Sequence, residues 1–396
     1  MGKRQILVLN KIASVGTKRL PAEHYEISNE AAVPEAILVR SAKMHDMNIP
    51  VSVQAIGRAG AGTNNIPIAE MSKRGIVVFN TPGANANAVK ELVLTGMLMA
   101  ARNIAPAMQF VADLNGDDAT LSTLVEDGKK HFAGIELPGR TLGIVGLGAI
   151  GGMVADTALK LGMKVLGYDP EITVDAAWRL SSEVKRVHSV DEVFKHSDFI
   201  TLHVPLIDAT KYMVNATRVE MMKQGAVLIN FAREGVIDEQ AVIDGLDSKK
   251  MRAYVCDFPT ARMKAHAGVV ALPHLGASTQ EAEDNCAMMV VDQIREFLEN
   301  GNISNSVNFP AVNMPREAPY RVAVASANIP NMVGQISTAM ADAGINIHNM
   351  VNKSRGDIAY TMLDLDSPAA ESSLLKIRGI EGVMTVRVLA KKQDES

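Results

Sequence analysis

Three stretches of this 396-residue chain carry groups able to do chemistry, and each sits where a strand ends. Pro273-His274-Leu275-Gly276-Ala277-Ser278-Thr279 places an imidazole directly after a proline, at the mouth of a strand that cannot continue. Such an imidazole suits a general base. Asn230-Phe231-Ala232-Arg233-Glu234-Gly235 supplies a guanidinium whose planar fork matches a carboxylate better than a lysine does. Gly146-Leu147-Gly148-Ala149-Ile150-Gly151 is a glycine turn that opens a helix. There Gly146 permits the tight bend, Gly148 lets a pyrophosphate approach the backbone, and Gly151 lets helix and strand pack closely. Asp169 stands 23 positions after Gly146, where a carboxylate can accept from both ribose hydroxyls. It would repel a 2′-phosphate, which favours NAD over NADP. Glycine turns between strands and helices are common, and a lone motif would say little. Here strand, glycines, helix, second strand and terminal acid all follow in order. Of the nine histidines only His274 is singled out, and His203, ending an apolar strand, reads as packed and hydrogen-bonded.

Such groups need strand ends to hold them. Brief apolar runs at 6–9, 36–39, 51–55 and 77–78 alternate with helical or loop segments, the pattern of a parallel α/β domain. A long helix is expected over 86–103. A second series of nearly all-apolar strands follows at 141–145, 164–168, 199–203, 226–230, 253–255 and 269–272, as expected for strands covered on both faces. Another long helix spans 280–300, and 302–319, with Asn, Pro and little periodicity, reads as a linker. Strands at 321–326, 345–352, 358–364 and 384–389, with helices at 331–343 and 369–378, form a final βαββαβ unit.

Composition narrows the classes. With 47% hydrophobic and 21% charged residues the chain is ordinary globular protein, and its length suggests two or three domains. A net charge of −4 gives no argument for nucleic acid or an acidic membrane surface. The apolar run at 6–9 is too short for a signal peptide and reads as a first strand; the stretch 92–101 is too short to span a bilayer. Two cysteines, Cys256 and Cys286, offer neither a disulfide framework nor a CxxC metal pattern, and fit a reducing cytoplasm.

Taken with His203-Val204-Pro205 and Cys256-Asp257-Phe258-Pro259, the motifs resemble the D-isomer-specific 2-hydroxyacid dehydrogenase family. The resemblance covers about the first 308 residues and includes Gly57-Arg58-Ala59-Gly60-Ala61-Gly62 and Asn80-Thr81-Pro82. It implies a Rossmann-type parallel sheet, at 91–283, inserted into a flavodoxin-like substrate domain made of 1–90 and 284–308, with a cleft that closes over substrate. His274 becomes the catalytic base, and Arg233 the group that binds the substrate carboxylate and polarises the carbonyl. Arg58 and Gly60, with the Arg40-Ser41 turn, fall at the substrate phosphate or carboxylate; a structural salt bridge stands equally for Arg40. Asp257 would hold the nicotinamide carboxamide of NAD. Thr81, Gly146, Gly148, Ala149, Ile150, Gly151, Asp169, Val204, Phe231, Ala232, Gly276 and Ala277 complete the cofactor contacts. No metal is implied. Relatives carry a glutamate shortly after the Asp257 position, bonded to the histidine; here no carboxylate occurs between Asp257 and Glu281. A lowered His274 pKa is the expectation.

The unit at 318–396 resembles an ACT amino-acid sensor. This narrows the resemblance to the ACT-bearing members that oxidise 3-phospho-D-glycerate with NAD at the head of the phosphorylated route to L-serine. Asn328 and Asn346 are its candidate effector contacts, for L-serine at a dimer interface, and Asn331 takes a place where Asn tolerates the left-handed conformation. A small phosphorylated hydroxyacid, a homo-dimer or homo-tetramer and a cytoplasmic setting follow, with no nucleic-acid or membrane partner. A hydroxypyruvate or glyoxylate reductase, and an NAD-gated binding protein like the C-terminal-binding corepressors, remain open alternatives.

Overall fold

The computed structural model describes residues 2–390. The chain forms two compact units, one from the chain up to Ala84 together with the chain from Glu283 onward, the other Asn85–Ala282.

The first unit opens with β1 (Arg4–Val8), β2 (Tyr25–Ser28), β3 (Ala36–Val39), β4 (Ala55–Arg58) and β5 (Val77–Phe79). All are parallel, in the order β2-β1-β3-β4-β5, the flavodoxin-like arrangement. β4 lies later than the apolar run at 51–55 suggests. Val51 follows Pro50 in a turn and is 99% exposed, so the strand starts only at Ala55 and carries Arg58 on its last position.

The second unit holds β6 (Thr141–Val145), β7 (Lys164–Tyr168), β8 (Lys185–Arg186), β9 (Phe199–Leu202), β10 (Ala226–Asn230), β11 (Met251–Cys256) and β12 (Val269–Ala271). Their order is β12-β11-β10-β9-β6-β7-β8, all parallel, and the chain reverses direction across the sheet between β6 and β9. This Rossmann-type order places ligands outside the carboxyl ends of the strands at that switch point. β9 and β10 are buried at every position, the reason their sequences run apolar without alternating.

The C-terminal sheet belongs to the first unit. It comprises β13 (Tyr320–Ala327), β14 (Ile347–Arg355), β15 (Ile358–Leu365) and β16 (Val383–Ala390), antiparallel in the order β14-β15-β13-β16 with two helices, a βαββαβ fold. The alternation along β13 divides its side chains. Val322 and Val324 pack with the sheet's own helices, whereas Ala323 and Ala325 join the core built on Ile6, Leu38 and Phe79 and on the helix Gln280–Asn300. The segment 302–319, expected as a bare linker, is therefore built in. Ile303 bridges to Val312, and Phe309, Val312 and Met314 are buried.

Buried charge fastens this seam. Arg321 and Asp364, both fully buried, pair through two bonds of 2.6 and 2.9 Å. The remaining Arg321 hydrogens go to the carbonyls of Asn300, Met314 and Pro315. Arg387 lies over the Phe297 ring at 4.0 Å and donates to the Phe297 carbonyl, and the Tyr360 hydroxyl donates to that of Gly301. The last-turn carbonyls of Gln280–Asn300 thus find donor partners, with positive charge, in the sheet that packs on them. Among the described residues no helix is long and apolar enough to cross a membrane, and no group of His, Cys, Asp or Glu is placed to hold a metal ion.

Candidate active site

The glycine turn leaves β6 and opens the helix Ala149–Lys160. Gly146 has φ +92°, and a Cβ there would overlap the His203 carbonyl; a Cβ on Gly151 would overlap the carbonyl of Gly146. Both glycines are required by backbone packed against backbone. Gly148 differs, since a Cβ there meets nothing within 4 Å. It is the N-cap of a helix whose first amides receive no side-chain cap. The missing side chain leaves open space over a helix N-terminus, which fits a pyrophosphate. Asp169 follows β7 and accepts from the amides of Leu147 and Glu171, at 2.8 and 2.9 Å. It braces the turn while keeping lone pairs for a ribose.

The other strand ends of this unit supply the remaining groups. Asn230, 1% exposed at the end of β10, donates to the Arg233 carbonyl at 2.9 Å and accepts from the Ala232 amide at 3.1 Å. It folds the loop so that Phe231 and Ala232 are buried while Arg233 is exposed, its guanidinium donating to the Ala232 carbonyl. The sequence signal for this role is an amide that ends an otherwise apolar strand. Asp257 follows β11 and is 2% exposed, yet neither carboxylate oxygen has a hydrogen-bond partner. Burial pushes its pKa up to about 6, against the weaker pulls of its own backbone amide, too poorly aligned for a hydrogen bond, and of Arg233. A Cβ on Gly276 would come 3.9 Å from Asp257 Oδ2, so the loop after β12 runs beside this acid. Two buried, unpartnered acceptors fit the amino group of a nicotinamide carboxamide.

His274 is exposed, and its ring lies 4.4 Å from that of Phe258 at 48°. His203 pairs with Thr201 Oγ1 at 3.0 Å, and burial lowers its pKa to about 4, so it is a packed, neutral histidine. Burial pushes the Cys256 thiol up to about 11 and leaves it unreactive at neutral pH.

The first unit holds the other sequence-selected residues. Gly60 has φ +144°, and a Cβ on it would overlap the Arg58 guanidinium, so this glycine lets Arg58 fold back across the turn. Arg58 Nε donates to the Arg40 carbonyl at 3.1 Å. The Arg40 side chain pairs with Glu283 at 2.7 Å, the structural alternative noted for it. Asn10, absent from the sequence-derived site, gathers the amides of Arg40, Ser41 and Ala42 on one oxygen. Thr81 is fully buried, its amide bonded to the Gly60 carbonyl.

In the C-terminal sheet, Asn328 donates to the Gly356 carbonyl, and Asn331 has φ 63°. Asn328 follows the Ala327–Ile358 end of the sheet; Asn346 precedes the end where Tyr320 meets Leu365. About 24 Å of strand separates them at 3.4 Å per residue. A single small ligand reaches both only by taking one from each of two copies of the chain.

Residues 94–276 match the sequence model for the NAD-binding domain of D-isomer-specific 2-hydroxyacid dehydrogenases. The chain belongs to this family. Within it, the chain is similar to D-3-phosphoglycerate dehydrogenases. It is 34% identical to that of Methanocaldococcus jannaschii over 86% of this chain, and spans only 63% of that relative's length. It is 31% identical to that of Haemophilus influenzae over 85% of this chain and 81% of the relative. The NAD+-bound 3-phosphoglycerate dehydrogenase of Entamoeba histolytica superposes with a TM-score of 0.60 at 27% identity, covering 78% of this chain and 99% of that one.

Proposed function

We propose that the chain is an NAD-dependent dehydrogenase that oxidises 3-phospho-D-glycerate to 3-phosphohydroxypyruvate, the reaction that opens the phosphorylated route to L-serine. The observation that carries this reading is Asp257, a buried carboxylate without hydrogen-bond partners, on the same sheet edge as an open glycine turn, Arg233 and His274. NAD, when bound, accepts the hydride. Gly148 and the first amides of Ala149–Lys160 would hold its pyrophosphate, Asp169 its ribose and Asp257 its carboxamide. Val204, Phe231, Ala232, Gly276 and Ala277 would line the cofactor. Arg233 binds the substrate carboxylate and stabilises charge growing on the carbonyl oxygen. His274 takes the hydroxyl proton as the hydride leaves, and returns it in the reverse direction. Arg58 and Gly60 are proposed phosphate contacts, with Arg40 and Ser41 shaping the neighbouring turn.

L-Serine, bound through Asn328 and Asn346 of two copies in an ACT-type pair, is the proposed effector. A cytoplasmic homo-oligomer is the proposed form. Association is supported by two helices of the second unit, Ile104–Asp113 and Asp118–Gly128, which expose Met108, Val111, Leu124 and Val125.

Initial rates of NADH consumption test the substrate. 3-Phosphohydroxypyruvate should outcompete hydroxypyruvate and glyoxylate by at least tenfold in kcat/KM. Preference for the unphosphorylated acids would make the chain a reductase of another substrate. Binding of NAD with no turnover on any of the three would make it a cofactor-gated binding protein. Added L-serine should lower the rate; a rate and a binding isotherm that both ignore serine would refute that regulation.

A further inference from the structure

The proposed base, His274, packs against a second aromatic ring. Phe258 lies with its ring centroid 4.4 Å from that of His274, the planes tilted by 48°. The two rings come from different strand ends, one following β11 and the other β12, so their contact ties two loops together. Both loops are stiffened locally. Pro259 restricts the backbone of Phe258 to extended conformations, and Pro273 fixes the residue before His274. Beyond Phe258 the chain is anchored at once. Thr260 caps the short helix Ala261–Lys264 by accepting from the Met263 amide at 3.2 Å, and Met263 is buried.

The ring is not a core anchor. Phe258 is half-buried and borders a cavity of about 670 Å³ that it shares with Leu206, Tyr254 and Met263. An aromatic residue that packs little core yet meets an exposed imidazole is placed to hold that imidazole. Its quadrupole also favours the imidazolium that forms as the proton is taken.

We infer that Phe258 is the positioning residue of His274, an aromatic stop that sets the direction of the imidazole for proton transfer. The inference rests on the reading of His274 as the base. A base misplaced by a fraction of an ångström loses rate without losing binding. Removing the aromatic ring should therefore act on kcat and leave the KM for NAD and for hydroxyacid in place.

The test compares Phe258→Leu, which keeps apolar volume, with Phe258→Tyr, which keeps the ring, in the full chain. Phe258→Leu should lower kcat by roughly tenfold with both KM values within about twofold, and Phe258→Tyr should restore the rate. A second readout is independent of turnover. The His274 Cε1–H proton resonance, assigned by its loss in His274→Asn, should carry a ring-current shift in the wild type and in Phe258→Tyr that Phe258→Leu abolishes. Wild-type kcat in Phe258→Leu, equal losses in both variants, or a resonance that does not move would overturn the inference. An inactive wild type with the ring-current pattern intact would sink the base reading of His274 while leaving the contact itself demonstrated.

Discussion

Two buried aspartates show how differently the two units use a charge out of water. Asp364, in the C-terminal sheet, is fully buried and gripped at both oxygens by Arg321, whose other hydrogens are all taken by carbonyls. Asp257, in the Rossmann-type unit, is almost as buried and its oxygens have no hydrogen-bond partner. The first carboxylate is completed by the architecture; the second is the one the proposed function gives to a ligand. The cost appears in the acid itself, since burial pushes Asp257 up to about 6.

The comparison can be broken in four places. The largest effect is expected from Arg321→Leu, which strands Asp364 without a partner. Thermal or urea unfolding should show a loss of about 3–5 kcal/mol, and a loss below 1 kcal/mol would mean the seam does not depend on the pair. Asp257→Asn should act in the opposite direction. A carboxyl whose folded pKa is raised binds more protons folded than unfolded, so its penalty grows as pH rises from about 4 to about 6 and is complete above that. Apo Asp257→Asn should therefore gain up to about 2–3 kcal/mol at pH 8, gain little near pH 4, and bind NAD more weakly at pH 8. Unchanged stability at both pH values would show that the acid is not strained. Gly151→Ala drives a methyl into the carbonyl of Gly146 and should cost about 1–3 kcal/mol in a denaturant melt. Gly148→Ala is the smallest in stability, within about 0.5 kcal/mol, because nothing lies within 4 Å. Calorimetric titration should nonetheless find NAD binding weakened tenfold or more; undiminished binding would remove the pyrophosphate from that turn.

The same contrast explains what the sequence made legible. The glycine turn, its strands and Asp169 could be read because they follow one another along the chain, so local chemistry announces them. The strands of the βαββαβ unit were also readable, from apolar runs that follow helical stretches in that order. What stayed hidden depends on distant partners. Arg321 and Asp364 are 43 positions apart and look like ordinary polar residues on two strands. The residues at 302–319 have little periodicity, yet Phe309, Val312 and Met314 are buried because two sheets share one core around the helix Gln280–Asn300. Asn10 and Asn230 shape site loops through backbone amides that no spacing rule connects to them. The displaced β4 shows the limit of local reading in another way, because Val51 is apolar and lies in water.

The most direct measurement is turnover of 3-phosphohydroxypyruvate with NADH by the full chain, with His274→Asn and Arg233→Gln beside the wild type. The wild type should turn over, His274→Asn should lose about a hundredfold or more in kcat, and Arg233→Gln should lose comparably in kcat/KM. Wild-type rates in both variants would contradict the site, and with it the reading of this sheet edge as the place where the hydroxyacid is oxidised.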